Sequence, residues 1–185
     1  MPLDSATARA RALDAAEELF YRRGVHRVGM DDIRTASGVS LKRLYQLFPA
    51  KEQLVEAYLE RRDAHWRGRL AAYVVRHEDP RERVLAVFDW LRGWFAEEGF
   101  RGCAWINAHG ELGATSEAVA RQVRAHKAAF RAYLAGLVAE AGLPPELAGQ
   151  LFLLAEGAMV TAGVTGGTEP ADEAREAART LVGAR

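Results

Sequence analysis

The sequence has one cysteine, Cys103, in 185 residues, which excludes an internal disulfide and a cysteine-based zinc site. It has no net charge, because 25 Lys+Arg stand against 25 Asp+Glu. It has no long alternating run that reads as a strand, no internal repeat and no low-complexity tract. No apolar run approaches the roughly 20 residues that cross a bilayer, so no membrane partner is expected. The opening MPLDSATARA lacks the apolar stretch of a secretory signal, and a cytoplasmic location is the expectation that follows. Nucleophile motif, phosphate loop and H-E-x-x-H pattern are all missing, so the sequence gives no support to an enzyme. What is present is 49% hydrophobic and 27% charged, the composition of an ordinary globular chain.

The zero total hides an uneven distribution. Residues 1–51 hold nine Lys+Arg (Arg9, Arg11, Arg22, Arg23, Arg27, Arg34, Lys42, Arg43, Lys51) against six acids, a net of +3, and the rest of the chain carries −3. Neutrality argues against nucleic-acid binding only when charge is evenly spread. A surplus this modest does not establish such binding by itself.

The apolar periodicity is helical nearly throughout. Over 5–23, Ala12, Ala15, Ala16, Leu19 and Phe20 recur at three- and four-residue spacings, and Gly24 stands at the stop. The pattern predicts further helices over 31–37, from Ser40 as N-cap to Phe48, from about Lys51, and over 81–98, 103–112, 117–141, 145–165 and 171–182. Breakers cluster between them at Asp79-Pro80, Gly99 to Gly102, Gly142 to Pro145 and Gly166 to Pro170.

Residues 31–48 read as two short helices joined by a tight Gly38-Val39 turn, the pattern of a helix-turn-helix. Ile33, Val39, Leu44 and Phe48 are placed to lock the pair onto the first helix. Leu41, Lys42, Arg43, Tyr45 and Gln46 are then left outside. Arg or Lys at the start of such a helix reaches guanine O6 and N7, and polar neighbours hold phosphates. Lys51 opens the next helix, where its charge and the free N–H groups meet a phosphate together. The alternative is a small helical subdomain with a solvated polar face.

The segment GVHRVGMDDIRTASGVSLKRLYQLFPAKEQL resembles the DNA-binding segment of tetracycline-repressor (TetR) family regulators. Gly24, Asp32, Ile33, Gly38, Val39, Ser40, Leu44, Tyr45, Phe48, Lys51, Glu52 and Leu54 carry the resemblance. It implies phosphate contacts from Ser40, Tyr45 and Lys51, and base readout by Leu41, Lys42 and Arg43, with Gln46 beside them. Five positions depart from the family pattern. Val28 and Gly29 replace a Thr-Ser pair, which leaves Gly29 as cap and removes a phosphate-binding hydroxyl. Arg34 and Lys42 replace small residues and add cations to the DNA-facing region. Leu47 replaces a His.

The resemblance implies an all-α fold of about nine helices, with a three-helix DNA-binding domain over 1–50 and a ligand-binding and dimerisation domain over 51–185. It also implies a ligand-responsive repressor without catalytic activity or cofactor. Such a repressor binds a palindromic double-stranded operator as a homodimer, and a small apolar or aromatic effector releases it. Two-fold symmetry supports the dimer independently, since one helix-turn-helix reads too few bases. The last two helices are the expected interface, through Leu147, Leu151, Phe152, Ala155, Ala158 and Met159 on one and Ala174, Ala178 and Leu181 on the other. The alternative is that these faces pack within their own subunit. For the effector pocket the candidates are Phe88, Trp94, Phe95, Trp105, Asn107, His109, Glu111, His126 and Glu156. The aromatic members read equally as a core stripe, and the polar ones as a structural hydrogen-bond network or, through one His and two carboxylates, a metal site. Glu156 lies inside the apolar run LFLLAEGAMV and should be paired, hydrated or ligand-facing. Cys103 reads as a small buried hydrophobe, with thiol sensing as the other option. Two other functions stay open on sequence alone: a helical enzyme using Glu111, His126 and Glu156 for acid–base work, and an interaction module that does not bind DNA.

Overall fold

Local chemistry sets both ends of the first helix, α1 (Ser5–Arg23). The Asp4 carboxylate accepts from the N–H groups of Ala6 at 2.9 Å and Thr7 at 3.0 Å, an N-cap. Gly24, at φ +85°, ends the helix and donates its N–H to Phe20 O. The computed structural model describes residues 4–183 and contains nine α-helices and no strand among them. The others are α2 (Met30–Ser37), α3 (Leu41–Leu47), α4 (Lys51–Val74), α5 (Pro80–Phe95), α6 (Ala104–Leu112), α7 (Glu117–Glu140), α8 (Leu147–Thr165) and α9 (Glu169–Gly183). The all-helical expectation is met. Boundaries shift by one to three residues where a cap decides. At α5, Asp79 caps through the Arg81 N–H at 2.8 Å and Pro80 occupies the first turn, where a missing N–H costs nothing.

Two compact units emerge. The first comprises the chain through Ala64 together with Ala104–Arg124. It therefore takes in α6 and the opening of α7 as well as α1–α3, a different division from a single cut at residue 50. Small residues on α1 (Ala8, Ala12, Ala15, Ala16) let α2 and α3 pack close. Ile33, Val39, Leu44 and Phe48 are all buried, as their spacing requires. Phe20 meets Tyr58 edge-on at 5.8 Å. Arg61 binds both Asp14 and Glu17, and Arg62 binds Glu17 at 2.8 Å, tying α4 to α1. Ile33 is 0% exposed, so Ile33→Ala is expected to destabilise this unit by about 2–5 kcal/mol. Denaturant unfolding followed by circular dichroism measures it.

The second unit comprises His65–Cys103 and the chain from Ala125 onward. Its centre is the contact among α5, α8 and α9. Val84 through Phe88, Trp90, Leu91, Trp94 and Phe95 line the buried face of α5. Ion pairs Arg175–Asp89 at 2.7 Å and Arg92–Asp172 at 3.0 Å join α5 to α9. Trp66 is surrounded edge-on by Trp90, Trp94, His126 and Phe130, with ring centroids 5.0–5.7 Å away. Gly102 and Gly163 pack backbone to backbone, since a Cβ on Gly163 would stand 2.9 Å from the Gly102 Cα.

One expectation needs correction. Leu147–Thr165 is long and apolar enough by length and composition to cross a membrane, against the reading that no run comes near that length. In the fold it packs on α9 and α5 along one face. Only 39% of its most apolar stretch is buried, so an apolar face is left over.

Candidate nucleic-acid interface

The helix-turn-helix is assembled from short-range bonds. Asp32 accepts the Gly29 N–H at 2.7 Å, which closes the N-terminus of α2 despite the missing hydroxyl cap. Gly38 is in the left-handed region at φ +67°, and its N–H donates to Arg34 O at 3.0 Å. A Cβ there would meet nothing, so the requirement for glycine is conformational rather than steric. The Ser37 hydroxyl accepts from Val39 N, and the Ser40 hydroxyl caps α3 by accepting from Arg43 N at 3.3 Å.

This frame presents one polar face. Lys42, Tyr45 and Gln46 are exposed, while Leu41 and Arg43 are half-buried. Arg43 donates to the Gln46 side-chain oxygen at 3.1 Å, which holds both in register along α3. Arg34 is exposed and paired with Asp31 at 3.0 Å. A phosphate would have to compete for that guanidinium. Gly29 is exposed at the start of α2, and Ser40 at the start of α3.

Lys51 is half-buried at the start of α4. Burial pulls its pKa below the ordinary lysine value, and the negative charges of Glu111 and Asp32 oppose that shift. A phosphate beside Lys51 would raise the pKa again, so DNA binding would be linked to proton uptake. Affinity for an operator is then expected to fall as pH rises through the depressed pKa of free Lys51, below pH 10.5. Lys51→Arg keeps its charge and should flatten that part of the profile in a fluorescence-anisotropy titration.

The proposed pocket residues fall in both units. In the first, Trp105 is buried, whereas Asn107 and His109 are exposed on α6. Glu111 is turned to a task that its spacing did not announce: its carboxylate accepts the backbone N–H groups of Val25 at 3.1 Å and His26 at 2.7 Å. In the second unit, Phe88, Trp94, Phe95 and His126 are buried, and Trp94 and His126 are two of the rings packed around Trp66. Glu156 is paired with Lys127 at 2.5 Å, as a carboxylate in an apolar run requires, and Lys127 lies 3.4 Å from the buried Cys103 Sγ. Neither unit contains all of Asn107, Glu111, His126 and Glu156. No group of three or more potential metal ligands occurs among the described residues.

The interface residues expected on α8 and α9 fall into two groups. Leu151, Ala155, Ala158, Met159, Ala174 and Ala178 are buried within the chain itself, because this is the face on which α8 and α9 pack together. Leu147, Phe152 and Leu181 are half-buried. The open face of α8 carries Leu153 (70% exposed), Val160 (45%) and Val164 (81%). The signal for it was present in the sequence: α8 is apolar all round, so one partner face cannot cover it. His26 was also missed. Its ring nitrogen lies 2.9 Å from the Glu111 carbonyl oxygen.

Comparison with known proteins agrees with this architecture. Residues 12–58 match the family described as bacterial regulatory proteins, tetR family, and residues 80–178 match the tetracyclin repressor-like C-terminal domain. An uncharacterized HTH-type transcriptional regulator of Mycobacterium tuberculosis is 36% identical over 75 residues, 40% of this chain and 37% of that protein. The HTH-type transcriptional activator FasR of Mycolicibacterium smegmatis is 47% identical over 53 residues, 29% of this chain and 24% of its own length. These curated relatives are thus matched over about a third of their length or less. The crystal structure of a TetR-family transcriptional regulator from Streptomyces coelicolor superposes with a TM-score of 0.87 at 31% identity, covering 95% of this chain and 88% of that one.

Proposed function

The chain belongs to the tetR family of bacterial regulatory proteins, and from that premise we propose that it is a cytoplasmic, ligand-responsive transcriptional repressor without catalytic activity. It binds a palindromic operator as a homodimer and is released by a small apolar or aromatic effector. The observation that carries the DNA-binding half is the polar face of α3. Lys42, Arg43, Tyr45 and Gln46 project from a helix whose other face is locked by Ile33, Val39, Leu44 and Phe48. Lys42 and Arg43 supply base readout; Ser40, Tyr45 and Lys51 hold phosphates, with Arg34 and the Gly29 turn beside them.

The dimer is formed through the open stripe of α8, Leu153, Val160 and Val164. Gly157 lies on the same side with open space where a Cβ would stand, which allows a second helix to come close. The effector is received by the second unit, whose interior is rich in tryptophan and phenylalanine and holds the Lys127–Glu156 pair.

Selection of bound duplexes from a random-sequence library, followed by footprinting, tests the reading. Enrichment of a two-fold symmetric site is the expected result. Recovery of sequence-independent binding alone would refute it.

A further inference from the structure

Glu111 makes a two-pronged long-range contact in the first unit. Its two carboxylate oxygens accept from two consecutive backbone amides, Val25 and His26, across 86 and 85 residues of sequence. The return contact runs from the His26 ring nitrogen to the Glu111 carbonyl oxygen at 2.9 Å. Gly24 completes the seat: a Cβ there would stand 3.1 Å and 3.2 Å from the two carboxylate oxygens, and its φ of +85° is itself unfavourable for other residues. The Val25 side chain is 3% exposed, so the amide that Glu111 grips belongs to a residue anchored in the core. The gripped turn leads directly into α2, and α2 leads through Gly38 into α3.

We propose that Glu111 is a coupling residue: its carboxylate clamps α6 to the turn between α1 and α2, so that a displacement of α6 is delivered to the DNA-reading helices. This rests on the regulatory reading above and names the residue through which it operates. Charge-assisted bonds to paired amides suit the task, because they are directional and stronger than neutral ones. A packed apolar contact would let α6 slide; two amides in a fixed order do not. By linkage, coupling that runs from α6 to α3 must also run from α3 to α6.

The test uses the full-length protein, a duplex selected by the wild type, and amide exchange followed residue by residue by NMR. Glu111→Gln keeps the volume and offers only one acceptor oxygen; Glu111→Ala offers none; circular dichroism checks that both remain folded. In the free protein, exchange of the Val25 and His26 amides should quicken by roughly tenfold or more in Glu111→Ala, the scale of one lost charge-assisted bond. In the wild type, the duplex should slow exchange in α6, which lies outside the reading face. In both variants that slowing should shrink or vanish while the slowing in α3 persists. A purely structural role would leave the α6 response intact. Wild-type exchange at Val25 and His26 in the variants, or an unchanged α6 response, would overturn the proposal. A wild type that selects no duplex would instead overturn the DNA-binding reading and the coupling with it, and the free-protein exchange would still report whether the clamp forms.

Discussion

A Lys42→Ala/Arg43→Ala double variant is expected to lose specific operator affinity by roughly a thousandfold or more while remaining folded and dimeric, at about 1–3 kcal/mol for each base contact removed in each half-site. The reason lies in the placement of α3. Its apolar face is fixed by Leu44, 0% exposed, so the helix cannot rotate to offer other side chains in place of those removed. Lys42 is exposed and free of any core role. Arg43 bonds Gln46, so its loss also releases a polar side chain that shares the reading face. Non-specific binding should fall much less, because Lys51 and Arg34 remain for phosphates. Anisotropy titrations with the selected duplex and a scrambled one separate these effects. Unchanged discrimination between the two duplexes would show that a different face reads the bases.

The second large effect concerns α8. Leu153→Asp/Val164→Asp is expected to convert the protein to a monomer of 20.3 kDa, half the mass of the wild-type particle in light scattering. Both side chains are open to solvent in the single chain, at 70% and 81% exposure, so the change should leave the fold of the subunit intact. Burying a Leu or Val side chain is worth about 1.5–3 kcal/mol, and each residue counts twice in a two-fold interface. Replacing them by carboxylates removes that gain and sets like charges against each other. Operator binding should fall with dimerisation, since each monomer holds only one half-site. A dimer that survives the change would move the interface elsewhere.

The sequence was most informative where structure is decided locally. The bounds of α1 follow from Asp4 and Gly24, a cap and a stop within hydrogen-bonding reach of the helix they delimit. The helix-turn-helix was legible for the same reason, since Gly38, Ser37, Ser40 and Asp32 bond to neighbours within four residues. Two things were not legible. Periodicity cannot choose an inward face for a helix as uniformly apolar as α8, so a partner-facing and an inward-packed reading of Leu151, Ala155, Ala158 and Met159 stood side by side. Nor can spacing reveal a partner 85 residues away: Glu111 read as a pocket carboxylate or a member of a structural hydrogen-bond network, and only the fold identifies the backbone amides it binds. Glu156 was the intermediate case: the cost of burying a bare charge required a partner, and only the fold identified it as Lys127.

The crowding of Trp66, Trp90 and Trp94 has an optical consequence. With centroids 5.0–5.8 Å apart, these indoles exchange excitation among themselves, so their emission should be strongly depolarised and should respond as one chromophore. The fourth, Trp105, is on α6, and α1 through α3 contain none. The collective emission of the cluster is therefore a reporter for the second unit, and Trp105 is the indole that belongs to the first.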